Sequence, residues 1–136
     1  MTPVFVYGTL KTGGANHSFL TGQRLLGAGC TRPEFRLHEL DGYPGMVRGP
    51  APGRSIGGEI WEVDPDCLAR LDELEGVGSG LYARESIVLL PPNDALPVEA
   101  YLYLGTVAGR RELGTTYAAF PAGLDLLDRR RRRSHN

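Results

Sequence analysis

The sequence predicts an α+β fold, a small mixed β-barrel with a flanking helix. Three observations carry this. Short apolar runs rich in Val, Ile, Tyr and Phe recur along the chain, and 19 glycines and 10 prolines break them up, the pattern of short strands joined by turns. One stretch, after Val63, has helical periodicity. A single sheet of this size must cover its faces or close on itself, and closure into a barrel is the preferred solution. The 136 residues fit one domain, expected over residues 1–128, with 129–136 expected to be a disordered basic tail.

The elements follow in order. Residues 3–8 read as a first strand that runs into glycine. Residues 16–20 suit a short helical turn. Residues 24–40 contain two strand-like stretches, divided near Arg32-Pro33. Residues 41–45, Asp-Gly-Tyr-Pro-Gly, read as a turn, with Tyr43-Pro44 a candidate cis bond, and residues 49–53 as an exposed loop. Residues 55–63 form a strong strand pattern in which Gly57-Gly58 suggests a bulge or a close backbone approach. Asp64 is placed to cap a helix, Pro65 fits its first position, and Asp66 suits the positive end of its dipole. Leu68, Leu71 and Leu74 form its apolar stripe, and Gly76 is placed to end it. Residues 81–90 and 96–104 read as two further strands. Residues 110–127 read as loop with a little helix.

Charge is unevenly placed. The formal net charge is −1, but Arg129–Arg133 are five consecutive arginines, and without them 10 basic residues face 16 acidic ones, a balance of −6. An acidic body without aromatics interleaved among the arginines argues against a nucleic-acid partner. No apolar run approaches the roughly 20 residues of a spanning helix, so no membrane role is expected. With no signal-like start and only Cys30 and Cys67, the expectation is a cytoplasmic setting with free thiols. His17, His38 and His135 lack ligand-like spacing, so no metal site is expected.

Two stretches carry candidate chemistry. In Val4-Phe5-Val6-Tyr7-Gly8-Thr9-Leu10-Lys11 a strand ends in a glycine loop, where backbone N–H groups can converge on a carboxylate or an oxyanion. An ordinary strand and turn is the other reading. In Leu71-Asp72-Glu73-Leu74-Glu75-Gly76, a helical wheel puts Glu75 on the face of Leu68 and Leu71, with Glu73 nearly opposite in solvent. Desolvation and the negative end of the helix both disfavour the ionised form of Glu75 and should raise its pKa, as a general base or acid near neutrality requires. A glutamate snorkelling off the helix end is the alternative. Cys67 reads as a small packing residue, Lys11 as a solvated one. Tyr82 and Arg84 share one face of a strand. An ion pair suits Arg84, and Tyr82 is open between pocket and structure.

Tyr7-Gly8-Thr9-Leu10-Lys11, then Leu71-Asp72-Glu73-Leu74-Glu75-Gly76, then Leu81-Tyr82-Ala83-Arg84, in that order, resemble the γ-glutamylcyclotransferase family, with a pattern nearest to the γ-glutamylamine cyclotransferases and the γ-glutamyl cyclotransferase of butirosin biosynthesis. The resemblance runs from about Val4 to Tyr103. It implies a small mixed β-barrel with flanking helices. It also implies cofactor-free release of 5-oxoproline from a small γ-glutamyl amine or amino acid. It puts the catalytic role on Glu75 and substrate binding on the backbone of Tyr7, Gly8, Thr9 and Leu10. Tyr82 is a further substrate-binding candidate. Such a substrate carries its own nucleophile, the α-amine, so intramolecular attack in a fixed geometry supplies much of the rate. Whether the Gly8–Leu10 loop holds the oxyanion or the α-carboxylate is open at this level, as are the leaving amine and the oligomeric state. The rival from another class is a barrel that binds a small carboxylate without turning it over.

Overall fold

The structure is a computed structural model and describes residues 1–117. The expectations for the end of the 110–127 stretch and for the basic tail lie outside the described residues.

Seven strands and one α-helix organise the described residues. They are β1 (Thr2–Val6), β2 (Arg24–Cys30), β3 (Phe35–Glu39), β4 (Pro44–Arg48), β5 (Gly57–Val63), α1 (Pro65–Leu74), β6 (Tyr82–Ile87) and β7 (Val98–Tyr103). Short 3-10 turns lie at His17–Leu20 and Val77–Ser79. Five strands form one sheet in the order β2-β5-β1-β7-β6, and β3 and β4 form a separate hairpin. The pairings are antiparallel except β1 with β7, where Val4 lies opposite Glu99. The fold is thus a mixed α+β one.

The regular ladders make one five-stranded sheet. Its two edges meet beyond the regular strands in one antiparallel bridge, Thr31 opposite Leu89. The Leu90 N–H donates to the Cys30 carbonyl at 2.8 Å, and the Arg32 N–H donates to that of Val88 at 3.2 Å. The stretch expected as one strand over 81–90 is therefore a strand to Ile87 and then a short seam.

Three other expectations change. Pro44 and Gly45, read as part of a turn, begin β4. The strand exists because its residues pair with β3, Leu37 opposite Met46 and His38 opposite Gly45, and a Cβ on Gly45 would press on Leu40 and Tyr103. The cis peptides are at Gly49–Pro50, Ala51–Pro52 and Pro91–Pro92. Tyr43–Pro44 is trans, which suits the extended entry into β4. The bulge expected at Gly57-Gly58 falls instead across the ladder on β2, between Leu25 and Gly27. Gly58 marks the close approach, since a Cβ there would sit 2.4 Å from the Val6 carbonyl oxygen.

The sheet packs on both faces. Side chains alternate along β1, so Phe5 and Tyr7 join Phe35, Leu37, Met46, Ile60 and Leu102 in the core beneath the β3–β4 hairpin. Val4 and Val6 face the other way, against Trp61, Cys67, Leu71, Tyr82 and Tyr101, the core beneath α1. Cys67 and Leu71 are fully buried. Cys67 fills space as expected, and burial raises its thiol pKa.

Candidate active site

The sequence of α1 fixes where its last residue points. Asp64 caps the helix by accepting the Cys67 N–H at 2.7 Å, with Pro65 in the first turn. Leu71 docks the helix on the sheet. Gly76, at φ +65°, leaves the helical path and stops it. Glu75 is the capping residue, its N–H donating to the Leu71 carbonyl at 2.9 Å. Its half-buried carboxyl has no hydrogen-bond or ion-pair partner among the described residues. Burial raises its pKa to about 7. Glu73 is exposed, as the wheel requires.

The glycine loop lines the same cavity as this carboxyl. It is folded by its own backbone. The Lys11 N–H donates to the Gly8 carbonyl at 3.1 Å and the Asn16 N–H to that of Thr9 at 2.9 Å. Glu59 accepts from the Thr12 N–H at 2.8 Å and braces the outer end. The N–H groups of Gly8, Thr9 and Leu10 donate to no acceptor among the described residues. A Cβ on Gly8 would lie 2.8 Å from Cγ of Pro44, so the glycine is required first by the packing of this loop on β4. Lys11 is not the solvated residue expected. It is half-buried, and its ammonium donates to the Tyr117 carbonyl at 2.6 Å. Burial lowers its pKa, with Glu59 opposing.

Three phenols are committed to structural bonds. Tyr7 donates to the Tyr101 carbonyl at 2.5 Å and accepts the Met46 N–H at 3.2 Å. Tyr82 donates to the Pro44 carbonyl at 2.9 Å, and Tyr101 to the Asp72 carboxylate at 2.7 Å. Burial, first among the causes, raises the pKa of all three, and the charge of Glu75 adds to each. Tyr82 is thus both structural and in the pocket. Arg84 is structural, paired with Asp72 at 2.9 Å and Glu99 at 2.8 Å.

The cavity has a volume of about 430 Å³. Its lining brings together all six residues singled out from the sequence, namely Glu75, Tyr7, Gly8, Thr9, Leu10 and Tyr82. It also includes Tyr43 from the 41–45 turn, and Asn16, Leu74, Leu81 and Tyr101, which sequence reasoning missed. Tyr101 carried a signal, since alternation along residues 98–103 puts it on the same face as Glu99. Cys67 and Arg84 lie outside the lining. Among the described residues, no group of three or more His, Cys, Asp or Glu side chains is placed to hold a metal ion, and no helix is long and apolar enough to cross a membrane.

The model of the family described as "Gamma-glutamyl cyclotransferase, AIG2-like" matches residues 4–122. The chain belongs to this family. A Vibrio cholerae protein named "Putative gamma-glutamylcyclotransferase" is 49% identical over 84 residues, covering 62% of this chain and 70% of that protein. The Bos taurus gamma-glutamylaminecyclotransferase is 35% identical over 115 residues, covering 76% and 65%. The crystal structure of an AIG2-like protein from Mus musculus superposes with a TM-score of 0.75 at 26% identity, over 92% of this chain and 97% of that one. In this γ-glutamylcyclotransferase-family chain one cavity is thus lined both by Glu75, with its unpartnered carboxyl, and by Gly8, Thr9 and Leu10, with their unpaired N–H groups.

Proposed function

We propose that the chain is a γ-glutamyl cyclotransferase that releases 5-oxoproline from a γ-glutamyl amine or amino acid, with Glu75 as the proton-transfer residue. The observation that carries this is that one cavity is lined by Glu75, whose carboxyl has no partner among the described residues, and by Gly8, Thr9 and Leu10, whose N–H groups are unpaired there.

The γ-glutamyl head is a zwitterion, an α-ammonium beside an α-carboxylate. Glu75 takes one proton from the ammonium. The freed amine attacks the γ-carbonyl carbon, closing a five-membered ring and placing negative charge on the carbonyl oxygen. The departing nitrogen must gain two protons to leave as an ammonium, and the α-nitrogen must lose two to become a lactam N–H. Glu75 carries them in turn, as base and then as acid. Its pKa of about 7 suits both halves of that cycle. Preorganised N–H donors stabilise either anion, the developing oxyanion or the α-carboxylate. No serine or cysteine nucleophile enters, because the substrate supplies its own.

The test is a screen of γ-glutamyl amines and γ-glutamyl amino acids against the purified protein, with chromatographic detection of 5-oxoproline. Release from at least one class supports the reading. Tight binding of γ-glutamyl compounds with no 5-oxoproline from any would make the chain a binding barrel instead.

A further inference from the structure

We propose that Asp72 is a positioning residue: it holds the hydroxyl proton of Tyr101 away from Glu75 and so leaves the Glu75 carboxylate free for the substrate's ammonium. This rests on the role of Glu75 proposed above.

The cavity surrounds one carboxyl with four phenols, Tyr7, Tyr43, Tyr82 and Tyr101. A carboxylate among hydroxyl donors ordinarily collects short, charge-assisted bonds, yet Glu75 has none among the described residues. For Tyr7 and Tyr82 the reason is fixed backbone. Their protons go to the carbonyls of Tyr101 and Pro44, which strand pairing holds in place. Tyr101 is different, because its acceptor is a side chain, the carboxylate of Asp72, at 2.7 Å. Asp72 stands three residues before Glu75 on α1, and Tyr101 lines the same cavity as Glu75, whose charge acts on its hydroxyl.

Asp72 wins because it is anchored. Nε of Arg84 donates to its Oδ1 at 2.9 Å and an Arg84 Nη to its Oδ2 at 3.1 Å, a fork that sets the plane of the carboxylate. Arg84 is held in turn by Glu99 at 2.8 Å. The charged groups around the last helix turn are therefore Asp72 and Glu73 on α1, Arg84 on β6 and Glu99 on β7. With its proton committed to Asp72, Tyr101 offers the cavity lone pairs only. That suits an ammonium, which has donors and no acceptor. A phenol free to turn would donate to Glu75, favour its charged form and compete with the substrate.

The measurement is a titration of the Glu75 carboxyl carbon by ¹³C NMR in the full chain labelled at glutamate Cδ. The signal is assigned by its absence in Glu75→Gln. Asp72→Ala should lower the midpoint by about one pH unit, the size of one hydrogen bond to a charged group. Asp72→Asn, which keeps an acceptor for Tyr101, should stay near wild type. The double variant Asp72→Ala/Tyr101→Phe should return to wild type, because no phenolic proton remains. A shift that persists in the double variant, or appears equally with Asn, would assign the effect to the field of the lost charge and overturn the proposal. Tyr101→Phe alone decides the matter even if Asp72→Ala does not fold. An unchanged midpoint supports the proposal, and a raised midpoint means that Tyr101 already donates to Glu75. The readout needs no turnover, so failure to release 5-oxoproline would sink the functional reading and leave this measurement standing.

Discussion

The two faces of the five-stranded sheet use the same strands for opposite ends. Beneath the β3–β4 hairpin, Phe5, Phe35, Leu37, Met46 and Ile60 are excluded from solvent, with the Tyr7 hydroxyl packed among them. Beneath α1 the core holds Trp61, Tyr82 and Tyr101, and it opens at one end into a cavity containing a carboxyl. The hairpin side, its aliphatic core built on Leu37, Met46 and Ile60, is closed except where Phe5 and Tyr7 reach the cavity lining. The aromatic side tolerates an opening because phenols present an apolar body to the core and a hydroxyl to a chosen partner. Stability is concentrated on the hairpin side, chemistry at the boundary that the two sides share.

Substitutions test that division. The largest effect is expected at Glu75. Glu75→Gln keeps the shape but cannot take the ammonium proton, so 5-oxoproline release should fall by about 10²–10⁴-fold. The same variant should be more stable at high pH. The folded pKa of Glu75, about 7, lies above its ordinary value of 4.5. Its contribution to stability is therefore fully present below about pH 4.5 and lost as pH rises through 7. Melting curves across pH should show Glu75→Gln ahead of wild type by up to about 3 kcal/mol above pH 7, with the gap closing in acid. A uniform gap would mean that the carboxyl is solvated.

On the aliphatic face, Leu37→Ala should cost about 2–5 kcal/mol in urea unfolding while turnover of the remaining folded protein stays unchanged. A large loss of turnover per folded molecule would show that the two faces are coupled. In the wild type, kcat/KM should decline below about pH 7 as Glu75 of the free protein protonates, and an acid limb near 4.5 would place the working base elsewhere. Gly76→Ala, forced to φ +65° with its Cβ 3.1 Å from the Leu81 Cβ, should cost about 1 kcal/mol. Glu73→Gln, exposed and opposite, should change neither activity nor melting temperature measurably.

What was legible in the sequence was local. Asp64-Pro65 and Gly76 act through the backbone beside them, so the limits of α1 and the face of Glu75 could be read directly. The Tyr7–Leu10 loop was visible because a strand meeting glycine exposes main chain. What stayed hidden depends on partners distant along the chain. Pro44–Arg48 is a strand only because β3 lies beside it. Gly8 looked like an opening for a ligand until Pro44 was seen against it. Lys11 reads as a surface residue until the Tyr117 carbonyl arrives from 106 positions away. Asp72, next to Glu73 on a charged helix, gives no hint that it receives Arg84 and Tyr101.

Lys11 has a practical side. It is the only lysine in the sequence, so amine-directed coupling has a single side chain to modify, and that side chain belongs to the loop that carries the free N–H groups. Labels or beads attached through amines would therefore pull on the mouth of the cavity and break the bond to Tyr117. Cys30, an exposed free thiol outside the cavity lining, is the anchor that leaves the loop alone.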